Sequence, residues 1–329
     1  MSKHQELNQE NYYSAEMNMK YVSASQYKMF FNPYTDCCEA AALAEIRGEY
    51  ERPVTDSLLI GSYVDEALTG DLEEFKKEHP ELFLTRGENK GELKANYKQA
   101  EKMISRARAD KLFMSYVSGG KHQVIMTGEI GLYFVRVEYS DRNEEIKCSS
   151  MFEAEVVKEY VKKKPQVIRN IEIQTIKAGI PIKIKIDHVA YKNGEPVAIV
   201  DLKTVKSMYE TFFVKDSGEH LTFIERWHYD LQGAMYQEIY RQNTGIKLPF
   251  YIAAISKDKT DSVPHPRLKI IQIPQSKMDE RMVEVRNNIW KIQSLKKGEI
   301  EPIHCGKCDY CADTLPCEVI SMDELMLEV

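Results

Sequence analysis

Residues 181–206 read PIKIKIDHVAYKNGEPVAIVDLKTVK, and no other stretch restricts the fold as tightly. Apolar and polar side chains alternate on both sides of Asn193-Gly194. Alternation in period two fits a strand, whose successive side chains point to opposite faces. Asn-Gly fits the tight turn of a hairpin, because both residues tolerate positive φ. The first strand should set Ile182, Ile184 and Ile186 on one face and Lys183, Lys185 and Asp187 on the other. In the second, Asp201 and Lys203 are two apart and share a face. A hairpin brings these strand ends together, so two carboxylates and an ammonium can converge on one spot.

Crowded acidic side chains repel unless a divalent cation is bound between them. A lysine beside them can orient a water and stabilise charge developing on a phosphate. This combination suits metal-assisted hydrolysis of a phosphodiester. The plainer alternative is a hairpin with exposed charges.

The chain around the hairpin divides into four parts. Residues 1–22 form a polar arm, and residues 23–120 carry helical patterns, including a long amphipathic helix over 91–117. An α/β core follows over 121–304, with helices expected at 151–165, 227–245 and 277–298 and strands at 248–256 and 268–274. QVIMTGEIG and QVIRNIEIQ share a lead-in, which marks 125–170 as a candidate insertion within a single domain spanning 23–304. Residues 305–329 are a cysteine-rich tail.

Among 329 residues no run of eighteen is apolar, and the N-terminus lacks an apolar signal core, so a cytoplasmic protein without membrane spans is expected. A net charge of −6 disfavours a protein that coats nucleic acid but allows a local basic groove.

The tail contains HCGKCDYCADTLPC, that is C-x2-C-x2-C-x5-C. Thiols this dense are a redox liability unless bound. Structural zinc and a 4Fe–4S cluster are the two bound candidates, and four unbound thiols the plainer alternative.

The hairpin residues resemble the PD-(D/E)XK nuclease superfamily, in which an Asp ends one core strand and a (D/E)XK triad lies on the next. The matching residues are Asp187 and Asp201-Leu202-Lys203. The RecB-like branch adds a Q-x-x-x-Y helix, matched by Gln232 and Tyr236 in HYDLQGAMYQ, which share a helix face. It also sets a metal-binding His, or in some viral exonucleases a Glu, on an N-terminal helix after a glycine. Here LLIGSYVDEAL offers Asp65, four after Gly61, with Glu66 in reserve and no His. A further carboxylate on the preceding strand is matched by Glu172, with Glu129 as rival.

The whole set, with KIKID, IVDLKT and a C-x-x-C-x-Y-C tail, is most similar to RecE-type, phage-associated exonucleases. The resemblance implies a restriction-endonuclease-like α/β core, a mixed central sheet flanked by helices. It further implies a magnesium- or manganese-dependent exonuclease degrading one strand of linear duplex DNA from its 5′ end, in phage-type recombination. A single-strand annealing protein is the implied partner, and a homo-oligomer the implied assembly. Asp187 and Asp201, with Asp65 or Glu172, would hold the metal. Lys203 would orient the attacking water, and Gln232 and Tyr236 would position the scissile strand or the lysine.

Iron–sulfur members of the branch clamp their ends together, with one Cys after an N-terminal Ser-x-Ser helix start and three after the core. That resemblance selects Cys37 or Cys38, after Ser23 and Ser25, with Cys308, Cys311 and Cys317, and leaves Cys305 surplus. A local zinc site would use Cys305, Cys308, Cys311 and Cys317. Both sets stay open. So does a second function, a catalytically weak nuclease-fold DNA-binding or assembly protein, motivated by the absent helix His and opposed by the intact Asp187, Asp201 and Lys203.

Overall fold

The computed structural model describes residues 6–322 except 36, 132, 149–150, 176–178, 216–217, 261–262 and 320. The strands in chain order begin with β1 (Gly120–Ile130), β2 (Tyr133–Tyr139), β3 (Asn143–Cys148) and β4 (Ile168–Thr175). The hairpin is β5 (Ile180–Lys192) and β6 (Glu195–Val205), and at its turn Asn193 and Gly194 have φ of 53° and 85°. Both values are positive, which is what Asn-Gly supplies. Short hairpins β7 (Phe212–Val214) with β8 (Glu219–Leu221) and β10 (Lys259–Thr260) with β11 (Val263–Pro264) decorate the rest. The central sheet is completed by β9 (Phe250–Ser256) and β12 (Leu268–Gln272), in the order β1-β5-β6-β9-β12.

All its pairings are antiparallel except β6 with β9. A parallel pair needs a long crossover, and here it contains α9 (Phe223–Arg226) and α10 (Tyr229–Thr244). His188 pairs with Val200, so Asp187 and Asp201 lie one residue beyond that pair, side by side on neighbouring strands.

Helices cover both faces of the sheet. α2 (Ala24–Phe31), α10 and α11 (Gln275–Lys297) bury one face around Ile184, Ile186, Ile252, Met235 and Ile289. On the other, α4 (Asp56–Thr69), α6 (Ala95–Arg108) and α7 (Lys111–Val117) pack Tyr63, Met103 and Phe113 on Val200, Ala253 and Ile255. A strand buried on both sides reads as a continuous apolar run, which is why FYIAAIS in β9 shows no alternation. The single helix expected over 91–117 is two. Asp110 accepts a hydrogen bond from the Phe113 N–H (3.0 Å) and caps a new helix, α7.

β2, β3 and β4 make a second sheet, ordered β3-β2-β4, on which α8 (Met151–Lys162) packs with its own core of Val135, Val137, Ala154 and Val161. β1 is not part of it, since β1 pairs with β5 from Gly120↔Ala190 to Ile130↔Ile180.

The arm and the tail both fold back. Residues around α1 (Ala15–Lys20) cover β5, where the buried Lys183 ammonium donates to the Tyr12 carbonyl and to Asn18 Oδ1. α5 (Leu72–Glu78) packs on α4. At the far end α12 (Asp309–Thr314) reaches α3 (Glu39–Arg47), where Cys38, Ala40, Ala41 and Cys311 form a small buried cluster. No helix among the described residues is long and apolar enough to cross a membrane.

Candidate active site and cysteine centre

Asp201 is almost fully buried, and its two oxygens take different partners. Oδ1 accepts from Gln232 Nε2 at 2.7 Å, and Oδ2 lies 2.6 Å from the Lys203 ammonium. Asp187 is half-buried. Its Oδ2 accepts from the Leu202 N–H at 3.1 Å and stands 4.0 Å from Lys203. Gln232 reaches the sheet because the next residue is Gly233. A Cβ there would meet the Phe250 ring at 2.4 Å, so only glycine lets α10 lie this close. Mid-helix glycine costs about 1 kcal/mol relative to alanine, and the helix accepts that cost at the residue beside its contact with Asp201. Tyr236, one turn on, is buried with its ring edge-on to Phe250.

The charges are unbalanced. Burial first, then Asp201, push the Asp187 carboxyl well above the ordinary carboxylate range, and Lys203 offsets this only in part. Burial works to lower the Lys203 pKa, but Asp201 and Asp187 outweigh it and hold the ammonium above its usual value. Lys203 is therefore a cation at neutral pH. Tyr236 feels the same carboxylates, which add to burial in raising its phenol.

Two adjacent oxygen-donor carboxylates, one with its pKa raised by burial and by the other, fit a hard divalent cation such as magnesium or manganese. A cation would offset the burial and repulsion that raise the Asp187 carboxyl.

Of the remaining expected residues, Asp65 on α4 joins the group. Burial raises its carboxyl, and Lys203 and Asp201 both act on it. It accepts from Thr69 Oγ1 at 3.3 Å and from Gln123 Nε2 at 3.2 Å. Glu66 instead turns to the helix end, accepting from the Asp71 N–H at 3.1 Å. Glu172 does not come to the site. It lies on β4 opposite Arg136, because the alternating NIEIQ stretch belongs to the second sheet and not to the central one. Glu129 is exposed near the end of β1, opposite Pro181.

Several contributors carry no sequence signal. Lys28 comes from α2 to donate to Gln232 Oε1 at 3.2 Å, and burial with the nearby Lys203 brings its pKa down to about 8. Gln232 thus bridges Asp201 and a second lysine, so the lysine it positions is Lys28. Tyr229 lies beneath the Lys203 ammonium, 5.1 Å from ring centre to Nζ. Tyr12 and Tyr13 of the arm feel Asp187, and Lys185 sits 5.3 Å from the Tyr13 ring.

The second candidate centre joins the ends of the chain. The sulfurs of Cys38, Cys305, Cys308 and Cys311 all lie within 4.8 Å of one another. Cys38 to Cys311 is 3.6 Å and Cys305 to Cys311 is 3.9 Å. This set matches neither grouping expected from the spacing. It takes the N-terminal ligand of the clamp and Cys305 of the local site, and omits Cys317. That residue is exposed beyond α12, with its thiol on the Glu318 carbonyl. Cys37 turns the other way, its thiol donating to the Asn32 carbonyl at 3.3 Å. Burial raises the Cys305 thiol, but the Lys307 and Cys308 N–H groups prevail and bring it to about 7.

The sulfur separations can be compared with what each metal requires. A zinc–sulfur bond of about 2.3 Å puts the corners of a tetrahedron about 3.8 Å apart. A 4Fe–4S cluster spreads its thiolates over four irons and holds them farther apart. The observed 3.6 and 3.9 Å fit the single ion.

A crystal structure from Eubacterium rectale, described as a "Putative exonuclease", is similar over 99% of this chain and 100% of that one, with 37% identity and a TM-score of 0.74. No curated protein matches the chain. A family model described as a PDDEXK-like domain of unknown function (DUF3799) matches residues 23–149 and 148–314. Nearly the whole of the described sheet, the carboxylate pair and the cysteine centre fall inside those spans, and the chain belongs to this PDDEXK-like family.

Proposed function

We propose that the protein is a metal-dependent DNA exonuclease acting on linear duplex, most simply from the 5′ end, in the cytoplasm, and working with a single-strand annealing protein in phage-type recombination. The observation that carries the nuclease reading is the convergence of Asp187, Asp201 and Lys203 on the neighbouring strands β5 and β6, with 2.6 Å and 4.0 Å between ammonium and carboxylates. The Eubacterium rectale neighbour supports the exonucleolytic mode by its description. Retention of all three charged groups speaks against a degenerate, purely DNA-binding protein.

Asp187 and Asp201 would hold magnesium or manganese, with Asp65 nearby. When bound, such an ion polarises the phosphodiester and lowers the pKa of a water. The chain's own residues do the rest. Gln232 fixes the rotamer of Asp201 through Oδ1, and the Leu202 N–H fixes Asp187. Lys203, kept protonated by its neighbours, donates to the attacking water and balances charge gathering on the phosphate. Lys28 and Lys185 add positive charge along the path of the strand. No covalent intermediate is needed.

We further assign the cysteine centre to one structural zinc and not to an iron–sulfur cluster, on the sulfur separations given above. It would act as a clamp between the α3 end and the tail.

Digestion of end-labelled linear duplex, single-stranded and covalently closed circular DNA with magnesium tests the activity. Linear duplex should be consumed and circles spared. Comparable cutting of circles would replace the exonuclease with an endonuclease, and labelling each end in turn reads the polarity.

A further inference from the structure

The helices that build the carboxylate site also wall a second space. α2 runs from one to the other: Lys28 bonds Gln232 in the site, and Phe30 and Phe31 line a cavity of about 820 Å³. α10 starts between them. Tyr229 lies under Lys203, and His228, the residue before it, lines the cavity.

His228 is the anomaly. It is 1% exposed, yet neither ring nitrogen has a hydrogen-bond partner. Its backbone is left-handed, with φ 48° and ψ 47°, a conformation bulky residues seldom adopt. Buried polar groups are nearly always satisfied, and strained backbones gather at binding sites. The ring is held neutral, its pKa brought down to about 4 by burial and by the nearby Arg281 and Lys28. A neutral imidazole offers one donor and one acceptor.

The rest of the lining describes the guest. Phe30, Phe31 and Pro33 supply apolar faces, Asn288 a further polar edge, and Cys305 and Cys308 of the cysteine centre, with Lys307 between them, the remaining wall. Arg281 does not offer a free charge for a phosphate, because it is paired with Asp230 at 2.8 Å and with Glu284 at 2.6 Å. The volume is in the usual range for small-molecule pockets, about 300–1,000 Å³, with room for a nucleotide and none for a duplex. A flat heteroaromatic ring with donors and acceptors on its edge fits the apolar faces and the unpartnered imidazole.

We propose that this cavity is a nucleobase pocket, which receives the unstacked base of a nucleotide next to the phosphodiester held at Asp187, Asp201 and Lys203, with His228 bonded to its edge. This rests on the nuclease reading of the neighbouring site. The base is gripped by shape and stacking, as single-stranded nucleic acid generally is. The pocket thereby fixes the register of the strand end on the carboxylates.

The test uses the full chain with its cysteine-bound metal and linear duplexes carrying one abasic nucleotide at the first or second position of either strand. At one of these positions the missing base should raise KM about 10-fold while kcat changes less than about twofold. His228→Gly suits the left-handed backbone and removes the ring, so on normal DNA it should raise KM to the abasic level. A 2-aminopurine at the sensitive position should change fluorescence on binding without divalent cation, and the change should be lost in the variant. Magnesium-dependent digestion with the same KM at every abasic position and an unmoved 2-aminopurine signal would overturn the pocket and leave the nuclease standing. If His228→Gly does not fold, the wild-type comparison decides alone. If the wild type digests no DNA, the nuclease reading falls and the pocket with it.

Discussion

The carboxylate site takes Asp187 and Asp201 from two strands joined by a tight turn, whereas the cysteine centre brings Cys38 to Cys311 across 273 residues. The first is held by the sheet whether or not an ion is present. Its negative charges remain in surplus, and Asp187 stays partly open to solvent. The second has little beneath it but Ala40, Ala41 and the Tyr310 ring. Its ligands pack against each other, and the Ile303 N–H bonded to Glu39 is among the few other ties between the two segments. On the proposed reading, one region is a scaffold that binds a metal, the other a metal that ties two chain segments together.

The sharpest break between the regions should come from the carboxylate site. Asp201→Asn or Lys203→Ala should lower magnesium-dependent digestion by about 100-fold or more, with zinc content per chain unchanged. Loss of zinc in either variant, or rates like the wild type, would show that the two regions are not separable in this way. Next in size, Cys38→Ser should empty the cysteine centre and lower the melting temperature by roughly 10 °C, since it opens a very long loop. Cys317→Ser should alter neither quantity. Metal analysis of both proteins decides the set, and acid-labile sulfide in the wild type would return the centre to iron and sulfur.

A chelator too weak to compete with four thiolates should abolish digestion, reversed by magnesium, with far-ultraviolet circular dichroism unmoved. If the spectrum collapsed, the carboxylate site would be no scaffold. The smallest effect is in pH. The fold raises the Asp187 pKa, so it favours the protonated form. The stability from that preference is complete below the ordinary carboxylate pKa and is lost as pH climbs through the raised value. Without divalent cation the melting temperature should sag over this interval. Asp187→Asn should flatten the sag, and magnesium should shrink it. A sag identical in the variant would assign it to other groups.

The hairpin was readable because period two, Asn-Gly and D…DxK all act between near neighbours in sequence. The Gln232–Tyr236 helix was readable for the same reason. Lys28 was not, since nothing in ASQYKMFF records that α2 will point at α10. Glu172 misled because NIEIQ alternates as well as any core strand, and alternation does not say which sheet a strand joins. In the cysteine centre the spacing gave the residue types and the region. The choice of Cys305 over Cys317 depended on where α12 turns, which is a matter of packing.

The second sheet hangs from the first at one point. Ile130 and Ile180 are paired across β1 and β5, so the chain departs and returns through neighbouring strand ends. From Ile180 to Asp187 is seven residues of strand, about 23 Å at the usual rise. Torque on the appended sheet, from whatever grips it, would have to travel from Ile130 and Ile180 along the β1–β5 ladder, which runs unbroken as far as Val124↔Ile186, to reach the carboxylates. Seven consecutive residue pairs share that load before it reaches Asp187, which insulates the carboxylates from it mechanically.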